Sequence, residues 1–303
     1  MKPKILSWNV HGLNEINKRQ RIKNLLREWR ADIVCFQEKK LKLVNQKIVR
    51  SVWSCLYVDW VYLASNGASD GILVMWDKRV MEKMEEYIVA CSFKMVEDNF
   101  MWAFTGIYGP NVDNIIKQLW DEIAGLHTWW DLPWCIGGDF NIIRFPSERF
   151  GDNRLRSAMS DFSDCIFDLN LIDLSLTGGP FTWSNSQTWS RFDRLLISPE
   201  WESKFLEMCQ KKLPRVGSDH FPILLDGGGI EGGRRYFKFE NMWLKSEGFV
   251  ERVRLWWTSY QVFGSPSHIL AGKLKALKND LKLWNSHTFG DLGEQKKTML
   301  EEL

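Results

Sequence analysis

Short apolar runs that stop on polar clusters alternate along this chain with segments of helical period, and that alternation constrains its fold more than any other feature. Ile5-Leu6-Ser7-Trp8, Ile33-Val34-Cys35-Phe36, Gly71 to Trp76, Phe100 to Tyr108, Trp134-Cys135-Ile136 and Phe221 to Leu225 each read as a buried strand. Between them, Ile22, Leu25, Leu26 and Trp29 recur at helical spacing with Asn14 as the expected cap. Ile116, Leu119, Trp120 and Ile123 follow Asp113 in the same way, and Met159, Phe162, Ile166 and Leu169 mark a third helix. Phe181-Thr182-Trp183 and Phe192 to Ile197 predict an antiparallel pair. Helices separated by several consecutive strands imply an α/β sandwich with mixed sheets, not a doubly wound parallel fold.

Composition excludes several classes. With 303 residues, 45% hydrophobic and 26% charged, the chain is neither disordered nor membrane-like. It shows no apolar stretch approaching ~18 residues, and Met1-Lys2-Pro3-Lys4 leads directly into a strand pattern. A nuclear or cytoplasmic protein without signal peptide or transmembrane segment is expected. Cys35, Cys55, Cys91, Cys135, Cys165 and Cys209 are scattered, without a CxxC pair, as suits buried free thiols in a reducing compartment. The net charge is +2, and its positive excess lies after residue 230. The glycines within Gly227 to Gly233 mark a boundary, which divides the chain into a body over 1–226, a Gly-rich linker over 227–233 and a helical extension over 234–303.

The polar clusters stand at the strand ends. Gly137-Gly138-Asp139-Phe140-Asn141 presents a carboxylate and an amide two positions apart, hence on one face. There an Asp can take a proton from water and an Asn can donate to an oxyanion, two of the tasks in phosphodiester hydrolysis. Trp8-Asn9-Val10-His11, Gln37-Glu38, Tyr108-Gly109-Pro110-Asn111, Ser190-Arg191-Phe192-Asp193-Arg194 and Ser218-Asp219-His220 repeat the placement. Each of these, taken alone, also fits an ordinary turn, cap or solvated edge. Together they place Asn9, Glu38, Tyr108, Asp139, Asn141, Asp193 and His220 on one rim. Carboxylates and carboxamides with one phenol, one imidazole and no cysteine suit a hard, oxygen-liganded cation such as Mg²⁺.

In order and spacing these motifs resemble the endonuclease/exonuclease/phosphatase superfamily over residues 4 to about 225. Ser7-Trp8-Asn9-Val10, Gly178 to Asn185, Ser190 to Arg194 and Leu213-Pro214-Arg215 ahead of Ser218 resemble, more narrowly, the endonuclease of plant LINE-type non-LTR retrotransposons. The resemblance implies a four-layer sandwich, two mixed β-sheets flanked by helices, with one metal-centred site. Glu38, Asn9 and Asp219 would serve Mg²⁺, or Mn²⁺. Asp139, Asn141, His220, Asp193 and Tyr108 would be catalytic, with Asp193 holding the His220 tautomer. Asn111, Arg191, Trp189 and His11 would lie on the substrate side. His11 stands where many members have Asp or Asn, which puts metal affinity in question.

Beyond the linker, Phe237 to Trp243 and Leu274 to Lys278 resemble the segment that joins endonuclease to reverse transcriptase, so that domain is expected beyond Leu303 in the parent element. Leu270, Leu274, Leu277, Leu281 and Trp284 fall on one helical face, beside Lys275, Lys278 and Lys282. Three functions compete: a monomeric Mg²⁺-dependent endonuclease that nicks DNA, a weakened or host-adopted nucleic-acid-binding remnant, and a phosphatase on lipids or nucleotides. The last is disfavoured because Ser190 to Arg194 stands where a lipid phosphatase has its Pro-x-Trp-Cys-Asp-Arg segment.

Overall fold

A computed structural model describes residues 2–64, 71–87, 89–110, 112–151, 154–185, 187–227, 243–244, 246–264 and 266–289. The chain divides into two compact units, Met1–Glu231 and Gly232–Leu303. The first unit contains strands β1 (Ile5–Asn9), β2 (Ile33–Gln37), β3 (Val58–Tyr62), β4 (Ile72–Asp77), β5 (Met81–Tyr87), β6 (Ala90–Met95), β7 (Met101–Tyr108), β8 (Trp134–Asp139), β9 (Ile172–Asp173), β10 (Leu176–Thr177), β11 (Trp183–Ser184), β12 (Trp189–Ser190), β13 (Asp193–Ile197), β14 (Cys209–Lys212) and β15 (Ile223–Asp226). Its helices are α1 (Ile16–Trp29), α2 (Gln46–Val52), α3 (Asp113–Trp130), α4 (Ser157–Asp168) and α5 (Pro199–Lys204), with one 3₁₀ turn at Pro146–Glu148.

Two mixed sheets form, a seven-stranded one ordered β10-β14-β15-β1-β2-β4-β3 and a six-stranded one ordered β5-β6-β7-β8-β13-β9. Side-chain alternation along the strands explains why they stack. Ile5, Ile33, Cys35, Val74 and Trp76 of the first sheet meet Cys91, Phe93, Phe104, Cys135 and Leu195 of the second in one core between the sheets. The intervening residues Leu6, Trp8, Val34, Phe36, Leu73 and Met75 point the other way, onto Ile22 and Leu26 of α1 and Val49 and Val52 of α2. On the far side Ala103, Trp134, Ile136 and Leu196 cover Ile116, Trp120 and Ile123 of α3 and Phe162 and Ile166 of α4. Helices, sheet, sheet and helices thus make four layers, and the central strands read as unbroken apolar runs because both their faces are buried.

Glycine sits where backbones crowd. A Cβ on Gly138 would lie 1.9 Å from the Ile107 carbonyl oxygen, and one on Gly109 2.1 Å from that of Phe140, so the β7–β8 pair can close at its carboxyl end only with glycine there.

Two local expectations are corrected. α1 starts at Ile16 with Glu15 at the cap position and no side-chain cap bond, so Asn14 does not cap it. The 181–183 segment does not pair with 192–197. Trp183–Ser184 pairs with Trp189–Ser190, while Asp193–Ile197 lies antiparallel to Cys135–Asp139.

In the second unit, α6 (Phe249–Ser259) and α7 (Pro266–Phe289) bury Trp243, Phe249, Leu281 and Trp284 together. The Trp243 indole N–H donates to Asn285 at 2.8 Å. Leu277 packs against this cluster, but Leu270 and Leu274 remain half exposed, so the five-residue stripe is buried only toward its carboxyl end. Residues 228–242, which include most of the Gly-rich segment and Phe237 to Met242, lie outside the described residues. No helix of the described residues is long and apolar enough to cross a membrane. All six cysteines are free thiols; Cys35, Cys91, Cys135 and Cys209 are buried, and Cys55 and Cys165 are partly so.

Candidate active site

Because β1, β2, β7 and β8 end on the same rim, the residues that leave them converge on a cavity of about 410 Å³. Asn9, His11, Glu38, Tyr108, Asp139 and Asn141 line it, and Asp219 and His220 arrive on the loop ahead of β15. That loop is tied back to β1: the Ser218 hydroxyl donates to the Asn9 carbonyl at 2.7 Å, and the Trp8 indole N–H donates to the His220 carbonyl at 3.2 Å.

The cavity floor is a chain of polar groups that crosses between the sheets. The Asn9 amide donates to Asp139 Oδ2 at 2.9 Å, and His220 Nε2 lies 3.6 Å from the same oxygen. His220 Nδ1 is 2.9 Å from Asp193 Oδ2. Asp193 is placed in turn by Thr182, whose hydroxyl oxygen accepts the backbone N–H groups of Phe192 and Asp193 at 3.0 and 2.9 Å. Asp139 Oδ1 accepts the Asn141 N–H at 2.9 Å, while the Asn141 amide donates to the Gly109 carbonyl at 2.6 Å. Asn141 adopts a left-handed φ of 54°, which Asn tolerates better than most residues.

Burial and charge set the protonation states. Burial raises the Asp139 carboxyl to about 6, His220 opposing the shift and Asp193 adding to it. Burial by itself lowers the His220 ring, but the carboxylates of Asp193 and then Asp139 outweigh it and raise the ring to about 10. With a folded value above its ordinary 6.5, the paired ring contributes stability that is complete below 6.5 and fades as pH rises toward 10. In metal-free protein we expect ¹⁵N NMR to show His220 as imidazolium at pH 8, and Asp193→Asn to bring its titration down toward the ordinary range. A neutral wild-type ring at pH 8 would contradict the pairing.

Glu38 lies on the rim at a left-handed φ of 54°, with His11 Nδ1 3.0 Å and Lys40 Nζ 3.8 Å from its carboxylate oxygens. The Asp219 carboxylate accepts the Trp183 indole N–H at 2.8 Å, a bond that holds its pKa below the ordinary value despite burial. Asp139, Asp193 and His220 offer ligand atoms within 4.8 Å of one another, a group that could hold a metal ion.

Other expected substrate residues stand elsewhere. Arg191 does not reach the cavity. Its guanidinium bonds Asp173 at 2.8 Å, the Leu174 carbonyl at 3.0 Å and Glu148 at 3.4 Å, so a phosphate contact from this side chain is set aside. Trp189 packs edge-on against Phe150, ring centroids 5.0 Å apart, and remains 39% exposed on the β11–β12 hairpin without lining the cavity. Asn111 lies outside the described residues. Sequence reading missed Arg149 and Arg156, which line the cavity from the segment between β8 and α4. Their signal is a run of four arginines, Arg144, Arg149, Arg154 and Arg156, in the stretch that follows Gly138-Asp139-Phe140-Asn141.

Solved structures share the fold. The endonuclease domain of TRAS1, a telomere-specific non-LTR retrotransposon, is similar with a TM-score of 0.56 at 14% identity, over 74% of this chain and 97% of that one. An AP endonuclease from Archaeoglobus fulgidus gives 0.58 at 14% identity over 74% and 98%. A mannosyl-6-phosphatase of Bacteroides thetaiotaomicron gives 0.51 at 15% over 74% and 98%, so the fold alone does not choose between diester and monoester. The model of the endonuclease/exonuclease/phosphatase family matches residues 6–220, from the first strand of the sandwich to the imidazole on its rim, and the chain therefore belongs to that family.

Proposed function

We propose that the chain is a divalent-metal-dependent phosphodiesterase that nicks one strand of DNA, leaving a 3′-hydroxyl and a 5′-phosphate. The observation that carries this reading is the buried chain Asn9, Asp139, His220 and Asp193 at a cavity that Glu38 also lines. The donor set fits a hard divalent ion, because Glu38, Asn9 and Asp219 supply oxygens and no cysteine lines the cavity. When bound, the ion neutralises charge on the phosphate and activates an oxygen nucleophile.

The remaining work falls to side chains. Asp139 is held by the Asn9 amide and the Asn141 N–H in one orientation, from which its carboxylate takes a proton from water. His220, kept charged by Asp193, donates toward charge that develops on the phosphate. Tyr108 lines the same wall. Arg149 and Arg156 give the cavity a basic side suited to a polyanion. An extended diester needs such a side more than a small monoester does, and the named activities of the TRAS1 and Archaeoglobus relatives agree with nucleic acid. The sequence motifs support a retrotransposon origin of the LINE type, with residues 1–226 catalytic and 234–303 an extension toward a reverse transcriptase.

A second reading, a binding module with weakened catalysis, is favoured by one observation: His11 engages the Glu38 carboxylate. Supercoiled plasmid incubated with the full chain and Mg²⁺, Mn²⁺ or EDTA separates the two. Nicking with either ion and none in EDTA is expected, with ends that a polymerase extends. DNA retention without nicking supports the binding module, and equal nicking in EDTA removes the metal-dependent mechanism.

A further inference from the structure

His11 lies outside the Asn9 to Asp193 chain, yet its placement is specific. Both His11 and Glu38 adopt left-handed backbone, with φ of 48° and 54°. Crossing backbone bonds hold the two segments face to face: the Gly12 N–H donates to the Glu38 carbonyl at 2.7 Å and the Leu13 N–H to the Lys39 carbonyl at 3.0 Å. The His11 N–H also donates to Asn9 Oδ1 at 3.1 Å, which ties its backbone to a second cavity residue. The result is an imidazole Nδ1 set 3.0 Å from Glu38 Oε2, on a side chain 55% exposed toward solvent. Left-handed backbone at a non-glycine residue costs free energy, and two such residues in facing segments are what bring this imidazole to Glu38.

The same separation also suits two ligands of one ion. Two adjacent ligands of an octahedral ion with bonds of about 2.1 Å lie about 3 Å apart, since the separation is √2 times the bond. Mg²⁺ favours oxygen donors throughout, whereas an imidazole nitrogen raises affinity for first-row transition ions in the Irving–Williams order.

We propose that His11 is a direct ligand of the divalent ion together with Glu38, and that its nitrogen shifts the site's preference from Mg²⁺ toward a transition ion such as Mn²⁺. This rests on the metal dependence in the reading above and narrows it to the ion. His11 is then a specificity-determining residue for the metal, and its presence adapts the site where it would otherwise weaken it.

The test uses the full chain without nucleic acid. Mn²⁺ binding is followed by electron paramagnetic resonance, Mg²⁺ by competition, and ligation by pulsed measurement of ¹⁴N coupling to bound Mn²⁺. Wild type should show nitrogen coupling and a preference for Mn²⁺ over Mg²⁺ at least about tenfold greater than that of His11→Asp, which should bind both ions without nitrogen coupling. Bound Mn²⁺ without nitrogen coupling in wild type, or an unchanged preference in His11→Asp, overturns the proposal. Coupling that survives in His11→Asp overturns it too, because the nitrogen is then His220 in the cluster with Asp139 and Asp193. The two readings fail separately: His11-dependent coupling in a chain that never nicks DNA retains this ligand and discards the nuclease, whereas Mg²⁺-supported nicking without coupling does the reverse.

Discussion

Asp139→Asn is expected to lower plasmid nicking by roughly 10²–10⁴, the range for loss of a positioned proton acceptor, while the melting temperature holds or rises. The two halves of that expectation have one cause. Asp139 is 1% exposed and burial disfavours its charge, so an amide of the same shape is easier to bury. The same amide takes no proton from water. Nicking at the wild-type rate would remove Asp139 from the chemistry, and a large fall in melting temperature would show that the lost rate reflects damaged packing.

Arg194→Met should cost about 3–5 kcal/mol of stability, read by urea denaturation, because removing the fully buried one of the two arginines that share Glu148 and Asp173 leaves the two acids only partly compensated. The Arg194 side chain is fully buried; it bonds Asp173 at 2.6 Å and also bonds Glu148. Arg191 shares both acids, and Arg144 lies 3.8 Å from Asp173. The network fastens the Pro146–Glu148 turn to β13, next to Arg149 at the cavity wall. Arg194→Lys keeps the charge but not the planar fork, and should recover only part of the loss. A cost below about 1 kcal/mol would mean that the acids find other partners, as exposed pairs do.

Legibility in the sequence followed burial. Central strands such as β1, β2 and β8 are apolar on both faces, so their runs, their ends and the polar residues beyond them were readable. β5, with the sequence Met-Glu-Lys-Met-Glu-Glu-Tyr, is an edge strand whose charges mask its period, and β3 alternates only weakly; neither was foreseen. Pairing between strands is not written locally, which is why sequence proximity pairs 192–197 with 181–183 and the structure pairs 193–197 with Cys135–Asp139. Arg191 failed for a related reason. An arginine beside a candidate catalytic Asp looks like a phosphate contact until its partners Glu148 and Asp173, in segments without any motif, are seen to be folded against it. His11 was singled out as a departure, but its approach to Glu38 depends on two left-handed residues in facing loops that no periodicity reveals.

The floor of the cavity is shared between the two sheets. Asn9 and Glu38 leave the seven-stranded sheet, Asp139 and Asp193 belong to the six-stranded one, and His220 comes last, on the loop that returns the chain to the first sheet at β15. In the order of synthesis His11, Glu38, Asp139 and Asp193 therefore come well before Asp219 and His220, and the set is complete only once the loop ahead of β15 has been made. The cavity floor is thus closed only when β15, the last strand among the described residues, takes its place between β1 and β14, so its final polar group depends on the sheet being complete.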